Sequence, residues 1–268
     1  MNKTIAIAGL GWLGKSFALH LQNLGYRVKG SVTSIEKAGT LQRNGLETFP
    51  VEISEDGVSG EVEAFLKSVD CLVIMIPPGL RKNTGADHVA KMSNFLNEIE
   101  KTSVKKVILI SSTSVYSDAQ GTVTEKDIPV AENNAAKQLI EVEKLFFTSE
   151  KLQTTIVRFG GLLGGKRQPV RYLAGRKNLN NGNAPVNLIN RKDCIGILSE
   201  IIKKEAFGHI FNAVAPFHPL KKHYYTQKAT ELNLEPPSYS EEDDLAVYKK
   251  VTSVNVPDIL GYAFKQQP

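Results

Sequence analysis

The sequence predicts an α/β fold, in which a doubly wound parallel sheet is followed by a smaller C-terminal lobe. Short apolar runs alternate with segments of helical periodicity through the first 160 residues. A glycine-rich turn joins the first run to the first helical segment, and beyond residue 160 the alternation loosens. Strands that alternate with helices form parallel sheets with helices on both faces.

The clearest predicted strands, 4–8, 71–76 and 106–111, are short apolar runs bounded by glycine, proline or polar residues. The full set of predicted strands is 4–8, 27–32, 46–51, 71–76, 106–111 and 154–158. Each predicted helix repeats apolar residues three or four positions apart, as Leu13, Phe17, Leu21 and Leu24 do in the first. The helices are 13–24, 35–44, 61–68, 86–101 and 134–149. Further α/β pieces are predicted at 186–189, 194–204, 210–214 and 224–232.

Composition excludes several classes of protein. The 268 residues are 41% hydrophobic and 23% charged, as in globular proteins, which excludes disorder, collagen-like repeats and a disulfide scaffold. No apolar stretch approaches the roughly 18 residues that span a bilayer, and none forms a signal peptide. Cys71 and Cys194 lie in apolar segments without metal-ligand spacing. We therefore expect a cytoplasmic protein with reduced cysteines and no metal or membrane partner.

The first turn has the pattern of a phosphate-binding loop. Gly9-Leu10-Gly11-Trp12-Leu13-Gly14 matches G-x-G-x-x-G between a predicted strand and a predicted helix. Gly9 would allow the tight turn, Gly11 the approach of a pyrophosphate, and Gly14 close packing of the helix on the sheet. Trp12 and Leu13 would open the helix, whose N-terminus attracts phosphate. The sequence therefore predicts a Rossmann dinucleotide-binding domain at 1–160 and an intertwined substrate lobe at 161–268.

The residues after the second strand favour NADP, with NAD as the alternative. NAD sites usually place an acid about 20 residues beyond the first glycine, where it binds the ribose 2′-hydroxyl. No acid occurs here before Glu36, whereas Thr33, Ser34 and Lys37 offer hydroxyls and a cation to a 2′-phosphate. The alternative is that these are ordinary turn residues and that the site accepts either cofactor.

A second set of motifs lies further along the chain: Val107–Ser117, which contains Ser112 and Tyr116, then Thr124-Glu125, and then Arg158–Gly165. With the glycine turn, they resemble the extended short-chain dehydrogenases/reductases of the NAD-dependent epimerase/dehydratase type. The segments Pro185–Asp193, Gly208–Ala213 and Leu260–Tyr262 extend the resemblance over nearly the whole chain. The resemblance implies that Ser112 hydrogen-bonds the reacting hydroxyl or carbonyl group of a substrate.

The chain departs from this family at its acid–base dyad, a Tyr-x-x-x-Lys. One alignment keeps Lys137 and puts Asn133 in place of the tyrosine, and another puts Ala135 and Leu139 at the two positions. Either way the phenol is missing, so the chain resembles the atypical members of the family. Tyr116 is a candidate replacement for the phenol, and Lys137 is either a ligand of the cofactor ribose or a solvated residue.

Pro77 and Pro78 end the fourth predicted strand. A strand that ends in proline also resembles hydroxyacid dehydrogenases of the 6-phosphogluconate type, but residues 160–268 are too short and too strand-rich for their helical second domain. In either family the two prolines would lie beside the nicotinamide ribose.

The net charge of +5 is unevenly placed. Eight basic residues and no acid lie between Thr154 and Lys192, and Arg167, Arg171 and Arg176 are the candidates to bind a phosphorylated substrate. The alternative is a solvated loop. No nucleic-acid motif is present.

The sequence thus predicts an NADP-binding oxidoreductase or epimerase-like protein, a monomer or homodimer. Its predicted substrate is a small anion, with a nucleotide-sugar as one candidate. The alternative is a protein that binds NAD(P)(H) as a redox sensor without turnover.

Overall fold

The computed structural model describes residues 3–79, 87–240 and 247–268. In chain order the elements are β1 Thr4–Ala8, α1 Trp12–Asn23, β2 Arg27–Val32, α2 Ile35–Arg43, β3 Glu47–Ile53, β4 Val58–Gly60, α3 Val62–Leu66, β5 Cys71–Ile74, α4 His88–Glu100, β6 Lys106–Ser112, β7 Gly121–Val123, α5 Asn134–Phe147, β8 Gln153–Phe159, β9 Gly161–Leu163, β10 Leu188–Asn190, α6 Arg191–Lys204, β11 Ile210–Ala213, α7 Lys221–Glu231, β12 Lys249–Val251 and α8 Asn255–Leu260. In the described part of the chain, no helix is long and apolar enough to cross a bilayer.

Eight strands form one sheet in the order β11-β8-β6-β5-β1-β2-β3-β4. β1 pairs in parallel with β2 and β5, and β5 pairs in parallel with β6. The terminal strand β4 runs antiparallel to β3. Every residue of β1 and β5 is buried, which requires cover on both faces of the sheet. The predicted doubly wound α/β fold is therefore confirmed.

A hydrophobic core joins the sheet to α4 and α5. Ala6 and Leu72 of the strands pack with Phe95 of α4 and Phe146 of α5, and all four side chains are 0% exposed. These helices bury one face because their apolar residues recur every three or four positions. The core reaches the carboxyl ends of β1 and β5 through Ala8 and Ile74, next to the predicted cofactor residues.

The chain divides into two compact units. Unit 1 is Met1–Ser111, Asn133–Val157 and Leu198–Ile210, and unit 2 is Ser112–Glu132, Arg158–Ile197 and Phe211–Pro268. The predicted domains were two consecutive segments, whereas each unit here contains three. Residues 112–132 and 158–160 of the predicted first domain lie in unit 2, and residues 198–210 of the predicted second lobe lie in unit 1.

Unit 2 contains two short parallel strand pairs, β9 with β10 and β12 with β7. In the same unit the apolar side chains of Leu163, Val186, Leu188 and Tyr224 form a small core. Three strands of unit 2, β7, β9 and β12, were not predicted. Each has three residues, too few for a periodic pattern, and β12 pairs with a strand more than 120 positions earlier.

Two differences at element ends affect the candidate site. β5 ends at Ile74, two residues before the predicted end of that strand. α7 begins at Lys221, three residues before its predicted start. The first turn of α7 contains two lysines and a histidine, so it lacks the apolar spacing on which the prediction depended.

Candidate functional site

The glycine-rich turn follows β1 directly and is held by backbone contacts. Gly9 has a φ of +105°, a conformation that favours glycine, and a Cβ there would lie 2.9 Å from the carbonyl oxygen of Met75. Gly14 lies so close to Gly9 that a Cβ would come within 2.2 Å of the Gly9 oxygen. The N–H of Leu10 donates to the carbonyl of Ser31 on β2. Two of the three glycines are therefore required by the local packing.

The third glycine faces open space at the N-terminus of α1. A Cβ at Gly11 would meet no atom within 4 Å. Gly11 is the N-cap residue of α1, no side chain caps the helix, and its first turn carries no acid. The positive end of the α1 dipole therefore faces this open space without a side-chain cap or an acid, and the cradle fits a diphosphate.

The residues predicted to bind the adenosine end lie beyond the carboxyl end of β2, in the same unit. Ser31 of β2 pairs with Ala8 of β1, so the two strands end side by side. Thr33, Ser34 and Lys37 are exposed, and the Ser34 hydroxyl caps α2 by accepting the N–H of Lys37 at 3.3 Å. Because the Ser34 hydroxyl is the acceptor in this hydrogen bond, it can still donate its proton to a ligand.

Lys29 of β2 is not available to a ligand. Its ammonium donates to the carbonyls of Ala64 and Lys67, both at 2.8 Å, and the residue is 6% exposed. Burial lowers the pKa of this lysine. Lys37 is therefore the predicted cation that remains exposed at the adenosine end.

Pro77 and Pro78 follow the carboxyl end of β5, which pairs with β1. The N–H of Met75 donates to the carbonyl of Ala8 at 2.8 Å, which ties this segment to the glycine turn. Pro77 is exposed and Pro78 is half-buried. Both lie at the strand edge where ligands bind in doubly wound sheets.

A larger cavity, of about 610 Å³, lies at the opposite edge of unit 1, near the amino ends of β1, β5 and β6. Lys3 and Lys106 line it, and both ammonium groups bond the carboxylate of Glu205. Because both ammonium groups are already bonded to one carboxylate and ligands of parallel sheets bind at the carboxyl ends of strands, the glycine turn is the stronger candidate site.

Ser112, the predicted substrate-binding residue, begins unit 2. Its hydroxyl accepts the N–H of Ser114 at 3.1 Å and so caps a single 3₁₀ turn. Ser112 lines a cavity of about 270 Å³ within unit 2. The neighbouring Ser111, in unit 1, instead donates to the buried carboxylate of Glu143 at 2.5 Å.

Tyr116 does not line that cavity. It is 1% exposed, and its hydroxyl lies 2.9 Å from the carbonyl of Thr124 and 3.1 Å from the Asn212 amide oxygen. Arg158 donates to the same hydroxyl at 2.6 Å. Burial raises the pKa of Tyr116, so its proton is held more tightly than in water. This placement gives no support to Tyr116 as the replacement acid–base group, because every face of the hydroxyl is already bonded.

The two alignments of the missing dyad both fall on α5, in unit 1. Asn133 accepts the N–H of Ala136 at 2.9 Å and caps the helix, and Lys137 is exposed in its first turn. In the other alignment, Leu139 is 8% exposed and packs in the core. Neither alignment puts a tyrosine on the helix. Lys137 stays a predicted catalytic residue and ribose ligand, with a solvated helix residue as the alternative.

The three arginines predicted to bind the substrate lie in unit 2 but do not line its cavity. The Arg167 guanidinium donates to the carbonyl of Leu162 at 3.1 Å, and Arg171 and Arg176 are exposed. The prediction depended on the density of basic residues along the chain. In the structure, none of these three residues lines the cavity.

Residues besides Ser112 form most of the polar lining of this cavity, and none of these others was predicted as a site residue. Its hydroxyl and ammonium groups come from Ser112, Thr113, Ser114, Lys221, Tyr225, Tyr248 and Lys249, and its apolar wall includes Val186, Leu188 and Val247. They come from four separate stretches of chain, so no local pattern marks them. The sequence signal that could have located the cavity was the resemblance of Pro185–Asp193 to a substrate-lobe strand, because Pro185, Val186 and Leu188 line it.

Comparison with known proteins places this geometry in a family. A family model described as NAD(P)H-binding matches residues 9–203. The chain is 32% identical over 266 residues to Protein YeeZ of Escherichia coli K12, covering 98% of this chain and 96% of that protein.

Solved structures share the fold. A short-chain dehydrogenase/reductase superfamily protein from Agrobacterium tumefaciens with bound NAD has a TM-score of 0.78 at 15% identity, covering 98% of this chain and 93% of that one. UDP-glucuronic acid 4-epimerase from Bacillus cereus in complex with NAD has a TM-score of 0.79 at 16% identity, covering 98% and 92%. The chain therefore belongs to the NAD(P)H-binding family and has the fold of the extended short-chain dehydrogenases/reductases.

Proposed function

We propose that this protein is an NADP-dependent oxidoreductase or epimerase-like enzyme that acts on a small anionic substrate. The observation that carries the proposal is the uncapped N-terminus of α1 behind Gly11, where nothing within 4 Å would meet a Cβ. A diphosphate fits this cradle because the helix dipole favours an anion and no side chain caps the helix.

NADP is the proposed cofactor because of the residues beyond β2. Thr33, Ser34 and Lys37 are exposed there, and hydroxyls with a cation suit a 2′-phosphate better than an acid would. When bound, the nicotinamide would donate or accept a hydride. Pro77 and Pro78, at the end of the neighbouring β5, would contact its ribose.

The proposed substrate site is the cavity of unit 2. Ser112 lines it and would donate its hydroxyl proton to a carbonyl or hydroxyl group of the substrate. A nucleotide-sugar is one candidate substrate, since the solved structure of similar fold from Bacillus cereus is an epimerase of UDP-glucuronic acid. The protein's location stays a prediction, and the buried, unpaired Cys71 and Cys194 support a reducing compartment such as the cytoplasm.

The second candidate function is a sensor that binds NADP(H) without turnover. The specific observation in its favour is α5, where Asn133 serves as a helix cap and Leu139 lies in the core. Neither residue exchanges a proton near neutral pH. An enzyme of this family without its phenol needs another group to supply that proton.

Titration with NADPH and NADH, followed by nicotinamide fluorescence, tests the cofactor. We expect both to bind and NADPH to bind more tightly. Gly11→Val should abolish binding because its side chain would occupy the diphosphate cradle. Gly39→Val is the matched control, since a Cβ there meets only the flexible end of Arg43, at 3.7 Å. Unchanged NADPH affinity in Gly11→Val would show that the turn is not the site.

Turnover is tested on the NADPH complex. A panel of carbonyl compounds and sugar nucleotides is followed by absorbance, and redox-neutral epimerisation by product analysis. Oxidation or epimerisation of any compound supports the enzyme. Tight NADPH binding with no reaction across the panel would favour the sensor.

A further inference from the structure

The first two turns of α7 place a cation and a phenol on one face of the helix. Lys221 and Tyr225 are four residues apart, so their side chains lie one above the other. Both side chains line the cavity of unit 2 that also contains Ser112. The residues between them do not line it. The helix therefore presents an ammonium and a hydroxyl together to the proposed substrate site.

Both groups have unused hydrogen-bonding capacity. Among residues 3–79, 87–240 and 247–268, neither the Lys221 ammonium nor the Tyr225 hydroxyl has a hydrogen-bond or ion-pair partner. Lys249, the other lysine of the cavity, differs in this respect. Its ammonium donates to the carbonyl of Tyr116 at 2.6 Å and pairs with Asp118 at 3.0 Å. Lys221 therefore contributes the ammonium that remains available for a ligand.

The ring of Tyr225 is fixed before any ligand arrives. It packs against the small core of unit 2 and meets the ring of Tyr224 edge-on, with centroids 5.0 Å apart. Burial raises the pKa of Tyr225, so the phenol is neutral and a hydrogen-bond donor at neutral pH. A rigid donor loses little conformational entropy when it binds a ligand.

We propose that Lys221 and Tyr225 form an oxyanion-binding pair that holds the carboxylate or phosphate group of the substrate. The ammonium supplies charge and the phenol a directed donor, as in other charge-assisted hydrogen bonds. This assignment rests on the proposed function for the identity of the cavity as a substrate site. It replaces the three arginines of the sequence prediction by residues that line the cavity.

The volume of the cavity favours a small acid as the source of the oxyanion. It measures about 270 Å³, just below the range of about 300–1,000 Å³ that drug-sized ligands occupy. Val186, Leu188 and Val247 supply an apolar wall for the carbon skeleton. A short carboxylic acid or a phosphate monoester fits these features better than a complete sugar nucleotide.

Calorimetric titration of the full chain with pyruvate, inorganic phosphate and UDP-glucose, with and without NADPH, tests the pair and distinguishes the sources. We expect at least one of these anions to bind. Lys221→Met should weaken that binding at least tenfold, and Tyr225→Phe about fivefold. Lys222→Met and Tyr224→Phe are matched controls that make the same chemical changes outside the cavity, and they should keep the wild-type affinity.

Different results of these titrations would contradict the oxyanion-binding pair and the proposed function. All four variants should bind NADPH as the wild type does and keep its thermal midpoint, so a loss confined to the anions supports the pair. Equal affinity of the wild type and Lys221→Met, or no binding of any of the three anions to the wild type, would overturn it. Failure of the wild type to bind NADPH would overturn the proposed function instead. The anion titrations without NADPH would still show whether Lys221 and Tyr225 bind an oxyanion.

Discussion

The hydroxyl of Tyr262 donates a 2.8 Å hydrogen bond to the carboxylate of Asp193. This carboxylate is 0% exposed and also accepts the backbone N–H groups of Lys265 and Gln266, at 2.8 and 3.1 Å. A buried carboxylate is tolerated only when such donors replace its hydration. The contacts fasten the C-terminal residues to the first turn of α6.

Loss of this hydroxyl should destabilise the protein. Tyr262→Phe removes one of three donors and should lower the free energy of unfolding by about 1.5–3 kcal/mol, the usual contribution of a hydrogen bond to a charged group. Asp193→Ala removes the acceptor that all three donors share, so it should lower the free energy of unfolding by more than Tyr262→Phe does. Urea unfolding of the two single variants and the double variant checks the coupling. If the two effects simply added, the hydroxyl and the carboxylate would not act on one another.

Gly196→Ala should destabilise the protein, although alanine usually stabilises a helix by about 1 kcal/mol relative to glycine. A Cβ at Gly196 would lie 2.3 Å from the Tyr262 hydroxyl and 2.7 Å from the ring. The tyrosine would therefore have to leave Asp193. Thermal unfolding of Gly196→Ala in the wild type and in Tyr262→Ala checks this. In the second background the added methyl should be neutral or stabilising, and a persistent cost there would contradict the explanation.

The parts of the molecule predicted correctly are those specified by neighbouring residues. β1 and β5 are short apolar runs, and the glycine spacing of the first turn requires only the six residues Gly9–Gly14. The parts missed depend on residues far apart in the chain. Tyr116 acquires its partner Asn212 from 96 positions away, and the cavity of unit 2 joins Ser112 to Lys221. Neither periodicity nor a short motif can predict contacts between residues so far apart in the chain.

Tyr116→Phe should reduce stability without changing NADPH binding. The substitution leaves Arg158, which is 3% exposed, without the hydroxyl to which it donates at 2.6 Å. An unsatisfied buried donor costs about 1–3 kcal/mol. The backbone carbonyl that Lys249 binds is retained, so the cavity of unit 2 keeps its wall. Unfolding and NADPH titration together check this, and a variant of wild-type stability that had lost activity would restore Tyr116 as an acid–base candidate.

Acid should destabilise the protein partly through His88. Burial and, to a smaller extent, the charge of Lys91 lower the pKa of this histidine to about 4, against the opposing charge of Asp87. In the unfolded chain a histidine titrates near pH 6.5. Between about pH 6.5 and 4 the unfolded chain binds more protons, so stability present at neutral pH is lost as the pH falls through this window.

His88→Gln should make this dependence shallower. The variant removes the titrating group, so its free energy of unfolding should fall by about 3 kcal/mol less than that of the wild type over the same interval. Denaturant unfolding at pH 7, 5.5 and 4 gives the two slopes, and contributions from carboxylates cancel in the comparison. Parallel slopes would mean that His88 takes up its proton as readily in the folded protein as in the unfolded chain.

Gly14→Ala and Gly11→Ala should separate packing from ligand binding within one turn. A Cβ at Gly14 would lie 2.2 Å from the backbone oxygen of Gly9, which cannot move without displacing β1, so the free energy of unfolding should fall by about 1–3 kcal/mol or more. Gly11 has a φ of −82° and open space beside it, so alanine should change stability by less than about 0.5 kcal/mol. Its methyl group would nevertheless stand where the diphosphate approaches the helix N-terminus, and NADPH affinity should fall. Thermal unfolding without cofactor and NADPH titration resolve the two effects, and equal destabilisation by both alanines would show that Gly11 is also required by the packing of the turn.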